Sequence, residues 1–220
     1  ADVGIVVDPD VDRLALVCED GSMFGEEYTL VACADYVLGK LGGGNTVSNL
    51  SSSRALRDVT EKHGGTYTAS AVGEVNVVIK MKETNTVIGG EGNGGIILPA
   101  SHYGRDSLVG VALFLSHMAT TKISCKALRE SYPSYFMSKN KIQLTPQIDV
   151  DNILEIMATK YANEEVNTID GVKIDFESQW VHLRKSNTEP IIRIYTESNS
   201  QLNADELAER FITEIKEIIA

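Results

Sequence analysis

The 220-residue sequence contains no apolar run near the roughly 20 residues that a membrane-spanning helix needs, so no partnership with a membrane is expected. A secretory leader is missing as well: Ala-Asp-Val-Gly-Ile-Val-Val has neither a basic segment nor a small-residue cleavage site. Opening almost directly on a hydrophobic strand reads as a fragment, and the expected location is cytoplasmic. Cysteine is scarce. Cys18, Cys33 and Cys125 are too few and too scattered for a disulfide framework or a zinc site, and read as reduced, mostly buried thiols. Basic residues are outnumbered, 20 against 31 acidic ones, and the net charge of −11 argues against nucleic acid as a partner. A phosphorylated metabolite stays open, because anion capture needs only a few local donors. Asn49-Leu50-Ser51 matches a glycosylation sequon, which carries little weight without a secretory signal. What is present, 43% hydrophobic and 23% charged residues, is ordinary globular composition.

Along the chain, strands are expected at 2–7 and 14–18, followed by a helix from Glu27 to about Lys40 that Gly42-Gly43-Gly44 stops. Strands near 46–49, 66–71, 86–89 and 94–98 then alternate with helices near 52–63, 74–83 and 106–119. That alternation predicts a mixed α/β/α layer domain with largely parallel strands. After a short helix near 124–131 the pattern changes. Strands at 135–143, 166–169, 172–176, 179–184 and 191–197, with helices at 149–162 and 204–219, predict a smaller α+β domain. Its antiparallel sheet is backed by two helices. In the last helix Leu207, Ala208, Phe211, Ile212, Ile215, Ile218 and Ile219 share one face.

Three loops carry chemistry. Asp8-Pro9-Asp10-Val11-Asp12-Arg13, set between apolar strands taken as buried, places three carboxylates where they can converge on one hard cation, Mg²⁺ or Ca²⁺. An EF-hand would want glycine where Arg13 stands, and flanking helices instead of strands. A dehalogenase-type phosphatase would use Asp8 as nucleophile and Asp10 as acid/base, but Asp12 occupies the place of its usual Thr or Val. The second loop, Gly89-Gly90-Glu91-Gly92-Asn93-Gly94-Gly95, is read as lying between two strands. Its flexible backbone offers Glu91 and Asn93, a carboxylate and an amide suited to two neighbouring sugar hydroxyls. The third, Arg184-Lys185-Ser186-Asn187-Thr188-Glu189-Pro190 with Arg193 beyond it, offers an arginine fork, hydroxyls and backbone N–H groups for a phosphate. Taken alone, each loop also reads as a plain surface turn.

Together, in order and spacing, the three segments resemble the α-D-phosphohexomutase family of phosphoglucomutases, phosphomannomutases and phosphoglucosamine mutases. Asp8 to Arg13 is similar to the family's metal loop, Gly90 to Gly94 to its sugar loop, and Arg184 to Pro190 to its phosphate loop. The resemblance implies a C-terminal portion of a four-domain enzyme. Residues 1–25 would end the second domain, 26–122 form the third, 123–134 a linker and 135–220 the fourth. The attacking phosphoserine would lie in the missing N-terminal domains, within Thr-Ala-Ser-His-Asn-Pro. Ala100-Ser101-His102-Tyr103 shares part of that motif but lacks Asn-Pro and follows the metal loop, so it is read as an ordinary turn. Two departures stand out: Gly95 where many relatives have His, and Ala71 before Val72-Gly73 where many have Lys. They leave the general acid/base unassigned.

The resemblance implies that Asp8, Asp10 and Asp12 hold Mg²⁺, with Arg13 adding positive potential at the transferred group. Glu91 and Asn93 would hold the sugar in both of its orientations, and Arg184, Ser186, Asn187, Thr188 and Arg193 the phosphate that is not reacting. The activity implied is transfer of a phosphoryl group between C1 and C6 of a hexose phosphate through a hexose bisphosphate, with this chain alone inactive. Glucosamine phosphate is the expected substrate, from the form of the sugar loop. The alternatives are a glucose or mannose enzyme, a non-catalytic sugar-phosphate-binding module, and a phosphatase.

Overall fold

The computed structural model describes residues 1–145, 147–186 and 189–219. These residues divide into two units, residues 1–133 and 134–220.

The first unit opens with an antiparallel hairpin of β1 (Val3–Val7) and β2 (Leu14–Cys18), with Val7 opposite Leu14, so the aspartate loop is its turn. The two strands differ in environment. Leu14, Leu16 and Cys18 are buried, but Ile5, Val6 and Val7 are exposed. The apolar sequence of both predicts that both strands are buried. β1 instead pairs with β2 alone among the described residues, and its outer edge and much of its surface are bare.

Helix α1 (Glu26–Leu41) follows and is buried along most of its length. It starts at Gly25 (φ 98°) and ends at Gly42 in the left-handed conformation, whose backbone N–H reaches back to the Leu38 carbonyl. A four-stranded sheet then forms from β3 (Thr46–Asn49), β4 (Tyr67–Ser70), β5 (Ile88–Glu91) and β6 (Gly95–Ile97), in the order β4-β3-β5-β6. The first three strands are parallel and β6 is antiparallel to β5. Between them run α2 (Ala55–Lys62) and α3 (Glu74–Glu83), and α4 (Ser107–Thr121) and α5 (Cys125–Glu130) complete the unit. Val77 and Met81 of α3 pack on Val47 and Ile97. Phe24 meets Phe114 of α4 edge to face at 4.9 Å. Asp106 caps α4 by accepting hydrogen bonds from the N–H groups of Leu108 and Val109.

The sheet places chemistry at one edge. Asn49 and Glu91 end two neighbouring parallel strands, the position where ligands gather in open α/β sheets. β5 also ends later than expected: Gly89, Gly90 and Glu91 are strand, and only Gly92 to Gly94 form the turn. The reason is close approach. A Cβ on Gly89 would lie 2.6 Å from the Val47 carbonyl oxygen, and one on Gly90 2.0 Å from that of Gly95.

The second unit is a five-stranded antiparallel sheet, ordered β7 (Phe136–Gln143), β11 (Ile191–Ser198), β10 (Trp180–Lys185), β9 (Val172–Asp175) and β8 (Glu165–Asn167). Helices α6 (Val150–Lys160) and α7 (Gln201–Ile219) back it. Ile142, Val172, Ile174, Val181, Leu183, Ile192 and Ile194 meet Ile153, Met157, Leu207, Phe211 and Ile215 in one core. Strand alternation therefore turns Arg184 and Arg193, which lie opposite one another, to the other face.

Candidate functional site

The aspartate loop is a tight turn. The Val11 N–H donates to the Asp8 carbonyl at 3.1 Å, and Asp8 Oδ1 accepts from the N–H groups of Asp12 and Arg13 at 3.2 and 3.1 Å. Val11 has φ 59°, a left-handed conformation that a β-branched residue adopts only when its surroundings impose it. Its carbonyl accepts from both the N–H and the hydroxyl of Ser107, which ties the loop to the start of α4. The result brings together carboxylate oxygens of Asp8, Asp10 and Asp12 within 4.8 Å of one another.

That arrangement fits a hard cation. The donors are all oxygen, and Asp12 Oδ1 is buried with no hydrogen-bond partner. Burial raises the Asp12 carboxyl above its ordinary range, with Arg105 opposing and the charges of Asp8 and Asp10 adding to the rise. Burial also acts to raise Asp8, but the hydrogen bonds from Arg13 and Asp12 hold it below its ordinary value. Arg13 is half-exposed over the loop, with Nε 3.8 Å from both Asp8 and Asp12.

The glycine-rich β5–β6 turn sits beside this turn. The Leu14 N–H donates to the Gly94 carbonyl at 3.0 Å, joining β2 to the β5–β6 turn. Glu91 is buried, which the sequence did not signal. The Asn49 amide donates to its Oε1 at 2.8 Å, and the Arg105 guanidinium to its Oε2 at 2.8 Å. Asn93 is half-buried, its Oδ1 accepting from the Gly95 N–H. Asn49 Oδ1 in turn accepts from the Ser51 N–H and the Ser52 hydroxyl, and the Gly92 N–H donates to that hydroxyl. The sequon asparagine is thus a buried support of the loop.

Sequence reading missed Arg105. Its guanidinium is mostly buried and contacts three carboxylates: Asp12 of the aspartate loop, Glu91, and Glu74 at the start of α3. Only a lone arginine before the capping Asp106 hinted at it. Nearby, the Ser101 and His102 N–H groups turn back onto the Leu98 carbonyl, and His102 pairs with Asp106 at 2.9 Å.

In the second unit Arg184 faces Asp170 at 3.5 Å, and the buried Ser186 donates its N–H to the Ile191 carbonyl. Arg193, half-buried, stands between Arg184 on β10 and Lys141 on β7, three cations side by side across three strands. Like charges directly opposite are unfavourable, and in this row Asp170 offsets the charge of Arg184. Asn187 and Thr188 lie outside the described residues.

Among the described residues no helix is long and apolar enough to cross a membrane. Residues 25–135 match the sequence profile of phosphoglucomutase/phosphomannomutase, alpha/beta/alpha domain III, and residues 141–214 that of its C-terminal domain. A phosphoglucomutase/phosphomannomutase from Thermococcus kodakarensis is 33% identical over the whole chain, which covers 48% of that protein. A probable phosphoglucosamine mutase from Methanopyrus kandleri is 29% identical, again over the whole chain and 49% of its own length. A solved phosphoglucomutase/phosphomannomutase family protein from Burkholderia thailandensis superposes with a TM-score of 0.82 at 25% identity, over 98% of this chain and 46% of its own. The chain spans about half the length of the relatives it matches. It belongs to the phosphoglucomutase/phosphomannomutase family and carries that family's third and C-terminal domains.

Proposed function

We propose that the chain is the C-terminal part of a phosphohexose mutase that moves a phosphoryl group between C1 and C6 of glucosamine phosphate through the bisphosphate. Residues 1–25 are read as the end of the second domain, 26–122 as the third, 123–134 as a linker and 135–220 as the fourth. The observation that carries the proposal is the aspartate loop, three converging carboxylates one of which keeps an oxygen without a partner, joined by backbone hydrogen bonding to the sugar loop. Asp8, Asp10 and Asp12 would hold Mg²⁺, which when bound neutralises charge on the transferring phosphoryl group. Arg13, exposed over the loop, adds positive potential at the transferred group. Glu91, fixed by Asn49 and Arg105, and Asn93 present acceptors and a donor to sugar hydroxyls. Arg184, Arg193, Ser186, Asn187 and Thr188 hold the distal phosphate. The chain alone lacks the phosphoserine and is inactive; its partners are the N-terminal domains, which the bare surface of β1 is suited to meet.

Relatives named for glucosamine phosphate support the 2-amino sugar, and relatives named for glucose and mannose phosphates keep those substrates as the alternative. The half-length chain also fits a sugar-phosphate-binding module without turnover. Calorimetric titration of the 6-phosphates of glucosamine, glucose and mannose separates the substrate readings, and turnover once the N-terminal domains are supplied separates the mutase from the module. We expect tightest binding of glucosamine 6-phosphate and about tenfold or more weakening in Arg184→Met, since a hydrogen bond to a charged group is worth about 1.5–3 kcal/mol. Equal binding of all three sugars would remove the substrate assignment. Unchanged binding in Arg184→Met would remove the phosphate-loop assignment. Release of inorganic phosphate dependent on Asp8 would favour a phosphatase.

A further inference from the structure

Arg105 joins two loops that the sequence reads as separate. Its guanidinium contacts Asp12, one of the three clustered aspartates, and its Nη1 lies 2.8 Å from Glu91 in the sugar loop. Nε lies 3.3 Å from Glu74 in an ion pair without a hydrogen bond, and the Arg105 backbone N–H donates to that same carboxylate at 2.9 Å. The side chain is only 15% exposed, and Glu91 is buried. A guanidinium with five fixed donors can serve several carboxylates at once, and an ammonium on a flexible stem cannot reproduce that geometry.

The path of this side chain depends on Gly95. A Cβ at position 95 would lie 2.5 Å from Arg105 Cδ and 3.1 Å from its Cγ. The missing side chain at the end of the sugar loop is therefore the space through which Arg105 reaches Asp12 and Glu91. With one Asp12 oxygen on Arg105 and the other, Oδ1, buried without a hydrogen-bond partner, Asp12 is oriented to give that second oxygen to a cation.

We infer that Arg105 is a positioning residue that couples the two loops, so that a divalent cation at the aspartates and a sugar phosphate at Glu91 strengthen each other's binding. This rests on the reading of those loops given above. A cation drawing on Asp12 fixes the carboxylate that orients Arg105, and Arg105 in turn fixes Glu91 in the rotamer that receives the sugar. By linkage, the sugar must then tighten the cation by the same factor.

The test uses Mn²⁺ as a paramagnetic stand-in for Mg²⁺, titrated into the 220-residue chain with the unbound ion followed by electron paramagnetic resonance. Each titration is run with and without saturating glucosamine 6-phosphate. In the unsubstituted chain the sugar phosphate is expected to tighten Mn²⁺ by about fivefold or more, the lower end of typical coupling between sites. In Arg105→Lys, which keeps a charge but loses the fork, the ratio should fall to about one. Gly95→Ala leaves Arg105 in the sequence but fills its path, and should give the same loss, so it decides the matter if Arg105→Lys does not fold. A merely structural arginine would lower stability without changing the ratio. If both ligands bind and the ratio is one in the unsubstituted chain, or persists in both variants, the coupling role is overturned and the loop assignments stand. If the unsubstituted chain binds neither ligand, the loop assignments fail and the coupling role fails with them.

Discussion

At the scale of single residues, Asp8, Asp10 and Asp12 have carboxylate oxygens within 4.8 Å of one another because one tight turn carries all three. Arg105 meets Asp12, Glu74 and Glu91 only through the fold, since these partners are distant in sequence, and its surroundings in the chain do not mark it. His182 is a second case. It sits mid-strand in β10, Nε2 donating to the Asp170 carbonyl at 2.7 Å, and nothing in its sequence neighbourhood marks it as buried. Burial pushes its pKa down to about 4, with Lys173 and Arg184 adding to the effect and Asp170 opposing it. In the unfolded chain the imidazole titrates near its ordinary value of about 6.5, so between that pH and about 4 the unfolded state binds more protons. Stability is therefore full above pH about 6.5 and falls on acidification, by up to roughly 1.4 kcal/mol per pH unit from this one group. Trp180, in the same sheet, provides the fluorescence signal for urea titrations at several pH values. His182→Gln should flatten the dependence between pH 6.5 and 4, and an unchanged slope would show that other groups set it.

At the scale of elements, the helices were the most legible. The apolar stripe of α7 turned out as its periodicity implied, with Leu207, Ala208, Phe211, Ile212 and Ile215 buried. The start of α7 moved to Gln201 because residues before the stripe hold the first turn, where Asn203 donates its N–H to the Ser200 hydroxyl. The first strand of the β5–β6 hairpin was expected to end at 89 because glycine suggests a loop, whereas Gly90 and Glu91 continue it, and a Cβ on Gly90 would lie 2.0 Å from the Gly95 carbonyl oxygen. Gly94 does lie in the turn, with φ 84°, and a Cβ there would sit 2.3 Å from the Leu14 carbonyl oxygen. Gly94→Ala combines left-handed strain of about 1–2 kcal/mol with overpacking of about 1–3 kcal/mol. It should lower stability by about 2–5 kcal/mol, read as a lower urea midpoint by far-ultraviolet circular dichroism. A midpoint within error of the unsubstituted chain would show that the β2 and β5–β6 contact yields freely.

At the scale of the whole molecule, the layered first unit and the antiparallel second unit were legible from the switch in pattern between alternating strands and helices and a run of strands. The exposure of β1 was not, because Val-Gly-Ile-Val-Val reads as interior whether or not a second neighbour is present in the chain. Ile5, Val6 and Val7 on a bare strand edge form the kind of surface that protein segments cover. The proposed function has this chain supply the cation, sugar and phosphate sites of a mutase but not its nucleophile. Conversion of glucosamine 6-phosphate to the 1-phosphate, with Mg²⁺ and a bisphosphate primer, tests it by comparing the chain alone with the chain joined to the N-terminal domains. No turnover is expected from the chain alone, and turnover from the completed protein. Turnover by the 220 residues alone would place the nucleophile within them and contradict it.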